Sequence, residues 1–150
     1  MSDNVIKDQA IRLTKMWQAC DKIYFEYAKS VGLTDISLVI LEFIFNYEGD
    51  CTQKIICDDT FYPKQTVNTI IKTFIDDDIV VLNEIKTDRR NKAIKLSEKG
   101  KNFTKKIITD LENAEISALE NMNVKQREQL LQLVEVYKSS LVDNINNIIK

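Results

Sequence analysis

The sequence predicts a mainly α-helical protein that carries one small β-hairpin. Three observations lead there. Apolar residues recur at steps of three and four through most of the 150 residues, the spacing of helices with one buried face. The chain holds three glycines and one proline, too few turn residues for a β-sandwich or barrel. Only between Ile79 and Leu96 does the pattern shift to that of strands. With 44% apolar and 29% charged residues, the chain is neither a disordered tail nor a membrane span, and it reads as a single domain over 1–150.

The first helix spans about residues 4–30, where Val5, Ile6, Leu13, Met16, Trp17, Cys20, Ile23, Tyr24 and Tyr27 share a face. Gly32 follows where a helix C-terminal glycine belongs, because only glycine takes positive φ without strain. Thr34 predicts an N-cap for a second helix, Asp35 to about Tyr47, with Ile36, Val39, Ile40, Phe43, Ile44 and Tyr47 as its apolar stripe. Gly49 closes it. Thr52 caps a short helix, Gln53 to about Asp59, packing through Ile55 and Ile56. Pro63 suits the first position of the next helix, where no N–H is needed. That helix runs to about Asp76, with Val67, Ile70, Ile71, Phe74 and Ile75 inward and Lys64, Gln65, Thr66, Asn68, Thr69 and Lys72 outward. The six outward residues include no acid.

Ile79, Val80, Val81, Leu82 and Ile85 predict a strand, Thr87–Lys92 a charged turn, and Ala93–Leu96 a second strand. Ser97 caps a helix that tolerates Gly100 in its first turn and continues through Phe103, Ile107, Ile108, Leu111 and Ile116 to about Leu119. A final helix, about Val124 to Ile149, carries Leu130, Val134, Tyr137, Leu141, Ile145 and Ile148 on one face, widened by Leu131, Val142 and Ile149.

Charge is unevenly spread. The net charge is −2, yet the segment from Lys86 to Lys106 holds nine Lys/Arg against two acids. One basic segment on an acidic body predicts contact with a polyanion; a lysine-rich solvated helix start is the plainer alternative. The chain has no histidine, which removes Ser-His-Asp and Cys-His catalysis and His-ligated zinc. Cys20, Cys51 and Cys57 are odd in number and lack CxxC spacing, so neither a disulfide framework nor a zinc site is expected. Cys20 reads as a buried structural thiol, and Cys51, near a helix start, as one whose pKa a helix dipole would lower. Asp58-Asp59 and Asp76–Asp78 lack the ligand spacing of a calcium loop, and no phosphate-cradling glycine loop exists. The expectation is a protein that is not an enzyme, has no metal or cofactor, touches no membrane and lies in the cytoplasm with reduced thiols.

Helix, helix, short helix, turn, helix and hairpin is the order of a winged helix-turn-helix, over about residues 33–100. In that arrangement the helix after the turn enters the major groove and the hairpin reaches the backbone or minor groove. The flanking helices, about 4–30 and 101–149, leave more apolar face than one winged domain covers, which predicts a homodimer built on them.

At Pro63–Asn68 and again at Asp88–Gly100 the chain resembles the MarR family. The Asp-x-Arg wing tip, the short strand ending in Leu-Ser and the glycine three residues on are all present. The resemblance implies six helices and one wing, and a bacterial transcription regulator, read as a repressor, that binds a pseudo-palindromic operator on double-stranded DNA. It places Lys64, Gln65, Thr66, Asn68, Thr69 and Lys72 toward the major groove, and Asp88, Arg89, Arg90 and Lys92 at the wing. Asp88 would orient the wing arginine, and Arg90 would enter the minor groove. Family members commonly hold small aromatic effectors, for which Trp17, Tyr24, Tyr27 and Tyr47 are the candidates here; an aromatic stripe of core residues is the plainer alternative. Where the family usually ends the recognition helix with a charged pair and a glycine, this chain has Asp76-Asp77-Asp78. Those carboxylates oppose the helix dipole and are expected to point away from DNA. The rival function is a winged homodimer that binds protein instead of DNA; the absence of acids among the six outward recognition-helix residues counts against it.

Overall fold

The computed structural model describes residues 2–149, with the side chains of Ser2, Asp3 and Arg89 outside that description. Its elements are α1 (Ser2–Ser30), α2 (Asp35–Asn46), α3 (Gln53–Thr60), α4 (Lys64–Asp76), β1 (Val80–Ile85), β2 (Asp88–Leu96), α5 (Glu98–Glu120) and α6 (Val124–Ile149). They form two compact units whose boundary, between Ile108 and Thr109, falls inside α5.

In the first unit the helix ends are set by the capping residues that the sequence marks. Thr34 Oγ1 accepts from Ser37 N–H at 3.1 Å, Thr52 Oγ1 from Ile55 N–H at 3.3 Å, and Ser97 Oγ from Gly100 N–H at 2.8 Å. Gly32 turns the chain out of α1 with φ +79°. Pro63 stands one position earlier than expected, at the N-cap of α4: its ψ of 140° is extended, and its carbonyl accepts the first helical bond, from Val67.

Ile40, Leu41, Ile56, Val67, Phe74 and Val80 are the buried centre of the core. The stripe on α2 is displaced from the one that periodicity suggests. Leu38 and Leu41 are buried while Val39 is 40% exposed, because α2 is covered from several sides and its wide apolar surface does not reveal which edge is innermost. On α4, Val67, Ile71 and Phe74 point inward, but Ile75 is 38% exposed.

β1 and β2 form an antiparallel hairpin, registered from Val80 opposite Leu96 to Glu84 opposite Lys92. Past that point the register breaks and Ile85 lies opposite Asp88. The chain reverses at Lys86-Thr87 alone, so most of the predicted turn belongs to an irregular end of β2. Arg89, Arg90 and Asn91 are surplus residues there, a bulge without ladder partners. Ile94 N–H donates to Cys51 O at 2.7 Å, tying the hairpin to the segment before α3.

Asp78 takes a left-handed conformation, φ 59°, as the triple-aspartate end of α4 requires, and Ile79 N–H returns to Phe74 O at 2.7 Å. The Asp77 and Asp78 carbonyls accept from Lys99 Nζ and Ser97 Oγ, so this corner is fastened to the start of α5. Gly100 meets the same corner. A Cβ there would lie 1.9 Å from Ile79 O, so the residue is required by close approach rather than by its own φ.

In the second unit, Asn123 and Gln126 cap α6 reciprocally. Gln126 N–H donates to Asn123 Oδ1 at 3.0 Å and Asn123 N–H to Gln126 Oε1 at 2.9 Å. None of the described residues of α6 is buried. No helix among the described residues is long and apolar enough to cross a membrane.

Candidate nucleic-acid interface

The outward face of α4 follows from its 3.6-residue period: with Val67, Ile71 and Phe74 committed to the core, Lys64, Gln65, Asn68, Thr69 and Lys72 are left exposed. Thr66 departs from the expectation. It is half-buried, on the shoulder of the half-buried Ile70 one turn later. The Thr69 hydroxyl donates to Gln65 O at 2.9 Å, which leaves its oxygen as an acceptor only.

The hairpin brings a second set of polar groups beside this face. A groove of about 380 Å³ has Asn68 and Lys72 of α4 on one side and Arg90, Asn91 and Lys92 of β2 on the other, over an apolar floor that includes Ile71, Leu82 and Ile94. Residues 18 to 24 positions apart in sequence thus share one rim. Gln53 completes it. This residue is absent from the sequence-based candidates, although a glutamine just after the Thr52 cap was a usable signal. Its Nε2 donates to Lys64 O at 3.2 Å, joining the start of α3 to the start of α4.

Asp88 acts on the backbone rather than on a guanidinium. Its Oδ1 accepts from Arg90 N–H at 3.0 Å and its Oδ2 from Asn91 Nδ2 at 2.7 Å. These bonds favour the ionised carboxylate and hold its pKa below the ordinary value, the Asn91 side chain contributing most. Arg90 is exposed and has no ion pair among the described residues. Arg89 lies in β2, its side chain outside those described. Lys92 is less free: its Nζ lies 3.1 Å from Glu84 Oε1, its register partner across the hairpin. Periodicity alone could not pair those two, since the pairing depends on where the hairpin reverses.

The aromatic candidates are not gathered into one site. Tyr27 donates through its hydroxyl to Ile107 O at 2.7 Å. Trp17 and Tyr24 are 43% and 41% exposed on α1. Tyr47 stacks on Phe43 with ring centroids 5.5 Å apart and lines two cavities that contain none of the other three.

Two thiol expectations are reversed. Cys20 is exposed, because the apolar face of α1 on which it lies is itself exposed. Cys51 is buried, and burial pushes its pKa up to about 11 despite the opposing field of Lys95. Any helix-end effect is outweighed by desolvation. Among the described residues no cluster of acidic or thiol side chains could hold a metal ion.

Comparison with known proteins bears on this geometry. The model of a family described as MarR family matches residues 31–91, which contain α2 to α4, β1 and the start of β2. Among solved structures, the MepR–DNA complex of S. aureus superposes with a TM-score of 0.73 at 15% identity, covering 85% of this chain and 96% of that one. A MarR-family transcriptional regulator of Listeria monocytogenes, complexed with a 26mer DNA, gives 0.68 at 18% identity, with 90% and 89% covered. Staphylococcus aureus MarR in complex with salicylate and kanamycin gives 0.74 at 15% identity, with 93% of each chain covered. No curated protein sequence matches significantly.

Proposed function

The winged core of this chain, residues 31–91, belongs to the MarR family, and from that premise we propose that the chain is a sequence-specific transcription regulator that binds double-stranded DNA as a homodimer. The observation that carries the reading is the shared rim of α4 and the hairpin. Asn68, Lys72, Arg90 and Lys92 surround one groove, and α4 presents no carboxylate before Asp76. Amide side chains suit bidentate reading of adenine, and lysine suits guanine or phosphate. An arginine on a protruding bulge suits a narrow minor groove, where negative potential is concentrated. The proposed roles are base reading for Gln65 and Asn68, backbone or base contact for Lys64, Thr66, Thr69 and Lys72, and wing contact for Arg89, Arg90 and Lys92. Asp88 shapes the bulge that presents them.

Dimerisation rests on two faces, each in its own unit. On α1, Val5, Ile6, Met16, Trp17 and Ile23 are exposed; on α6, Leu130, Val134, Tyr137, Leu141, Ile145 and Ile148 form one exposed face. Surface of that extent marks an interaction site. Two-fold symmetry then calls for two half-sites about one helical turn apart, hence a pseudo-palindromic operator. Regulation is read as repression, relieved by a small aromatic effector; the salicylate bound to the S. aureus neighbour supports that class of ligand. A cytoplasmic location accompanies this role.

The deciding experiment recovers genomic fragments bound by the purified protein. The expected result is a common inverted repeat upstream of one or a few genes. Fragments with no shared repeat would remove the DNA-binding reading and leave the winged dimer as a protein-binding module.

A further inference from the structure

Phe61 ends α3 in a left-handed conformation, φ 59° and ψ 11°, with its N–H donating to Cys57 O at 3.0 Å. Glycine or asparagine fills such a helix end with less strain, because a Cβ there crowds the following carbonyl. An apolar side chain on so unfavourable a backbone is ordinarily kept by packing. Phe61 is instead 88% exposed, more than any other large apolar residue described. Strain without burial points to a use outside the folded chain.

Position narrows that use. Phe61 precedes Lys64, the first residue of α4, by three residues, and the Lys64 carbonyl is fixed by Gln53. The ring therefore stands at the entry of the helix proposed to enter the major groove. Of the acids just before it, Asp58 pairs with Lys54 at 2.6 Å, and Asp59 lines a cavity beside Phe43 of α2. A phenyl ring has no hydrogen-bonding group to offer a phosphate. In the major groove, the apolar group available to it is the C5 methyl of thymine.

Resting on the regulator reading above, we propose that Phe61 is a specificity-determining residue whose ring covers the methyl group of a thymine in each half-site. The contact discriminates thymine from the other three bases without a hydrogen bond. It also accounts for a strained, exposed aromatic at a place where asparagine would fold more easily.

The test begins by selecting tight-binding duplexes from a random pool with the full-length protein. Each thymine of the selected half-site is then replaced in turn by deoxyuridine, which lacks only the methyl. At one thymine the parent is expected to lose about fourfold in affinity, the value of burying one methyl group. Phe61→Asn, whose side chain suits the left-handed conformation, is expected to bind the thymine and deoxyuridine duplexes equally. A parent indifferent to the methyl at every thymine overturns the inference, and that result does not depend on how the variant folds. A variant that keeps the parent's preference overturns it as well. If the parent enriches no sequence at all, the regulator reading fails, and this inference with it.

Discussion

The carboxylate of Asp88 holds the backbone N–H of Arg90 at 3.0 Å while the Arg90 guanidinium stays free of any ion pair among the described residues. The acid therefore positions the arginine without neutralising it. Had the two side chains paired, the wing would present a salt bridge to DNA and the arginine would have to break it to bind. Replacing Asp88 with Ala removes a negative charge, which by itself strengthens nonspecific DNA binding. The expected outcome is nevertheless weaker binding to the operator, because the bulge loses the acceptor that shapes it. Tighter operator binding by Asp88→Ala would show that the bulge needs no such support.

The same bonds set a pH dependence. Asp88 has a pKa held below its ordinary value of 3.8 by Asn91 and the Arg90 amide. A depressed carboxylate contributes fully above its unfolded value, and the contribution is lost as pH falls through the folded value. The amide resonances of Arg90 and Asn91 are expected to stay constant from neutrality down to about pH 4 and to move only below it. A midpoint above the ordinary aspartate value would contradict the bonding described.

Arg90 and the α4 amides are expected to fail differently. Arg90→Ala should cost about 1–3 kcal/mol of DNA affinity and lower the salt slope by about one unit per wing. Gln65→Ala and Asn68→Ala should relax base preference with little change in slope. Binding isotherms on operator and scrambled duplexes at several salt concentrations separate the two cases. An Arg90→Ala protein with the parent's affinity at every salt would detach the wing from DNA.

Much of this arrangement is legible in the sequence because it is local. Thr34, Thr52 and Ser97 announce their caps, and the 3.6-residue period of α4 separates its core face from its free face. What remained hidden depends on long-range geometry. The bulge at Arg89–Asn91 follows from a hairpin register that no local pattern encodes, and with it the Lys92–Glu84 pair. Gln53 joins the rim only because α3 and α4 meet at a particular angle. Cys51 reads locally as a thiol at a positive helix end, but it is buried in a core to which Ile94 arrives from β2.

Cys51 and Cys20 should accordingly differ in reactivity. With a pKa near 11, Cys51 is protonated at neutral pH, and it is also inaccessible. Iodoacetamide is expected to label Cys51 only on unfolding, whereas Cys20, on the α1 face proposed to meet a second copy, reacts as soon as the dimer dissociates. A raised folded pKa gives stability that is complete below the unfolded value of 9.0 and is lost as pH rises toward about 11. Cys51→Ala should therefore flatten the alkaline limb of the stability curve. Rapid native labelling of Cys51 would mean that the hairpin opens readily.

Gly100 tests the corner between α4 and α5. The Cβ of Gly100→Ala would fall 1.9 Å from Ile79 O, a backbone atom that Ser97 N–H also holds. The corner must move, at a cost of about 1–3 kcal/mol or more. Gly32→Ala is the control: it has open space, but a φ of +79°. Its cost should be nearer 1 kcal/mol, from backbone strain alone. Denaturant unfolding ranks the two; equal losses would mean that the close approach at Gly100 relaxes freely.

One charge placed in its apolar seam is expected to break the proposed dimer. Leu130, Val134, Tyr137, Leu141 and Ile145 recur along α6 at steps of three and four, each between 36% and 44% exposed. A stable obligate interface needs on the order of 2,000 Å² of mainly apolar contact, which calls for most of this helix and the exposed face of α1. Leu141→Asp puts an unpaired carboxylate into that surface, a change that costs several kcal/mol when the site is dry. The variant is expected to sediment as a monomer at micromolar concentration, and to lose cooperative binding to the two half-sites. Glu135→Gln serves as the control. Glu135 is engaged with Lys138 at 2.6 Å on an exposed part of α6, so its loss should leave the dimer intact. Trp17, the chain's one tryptophan, supplies an independent signal, since removal of a partner from α1 should shift its emission toward the red. A parent protein that sediments as a stable folded monomer would leave the apolar faces of α1 and α6 without an occupant, and a two-fold operator without a reason.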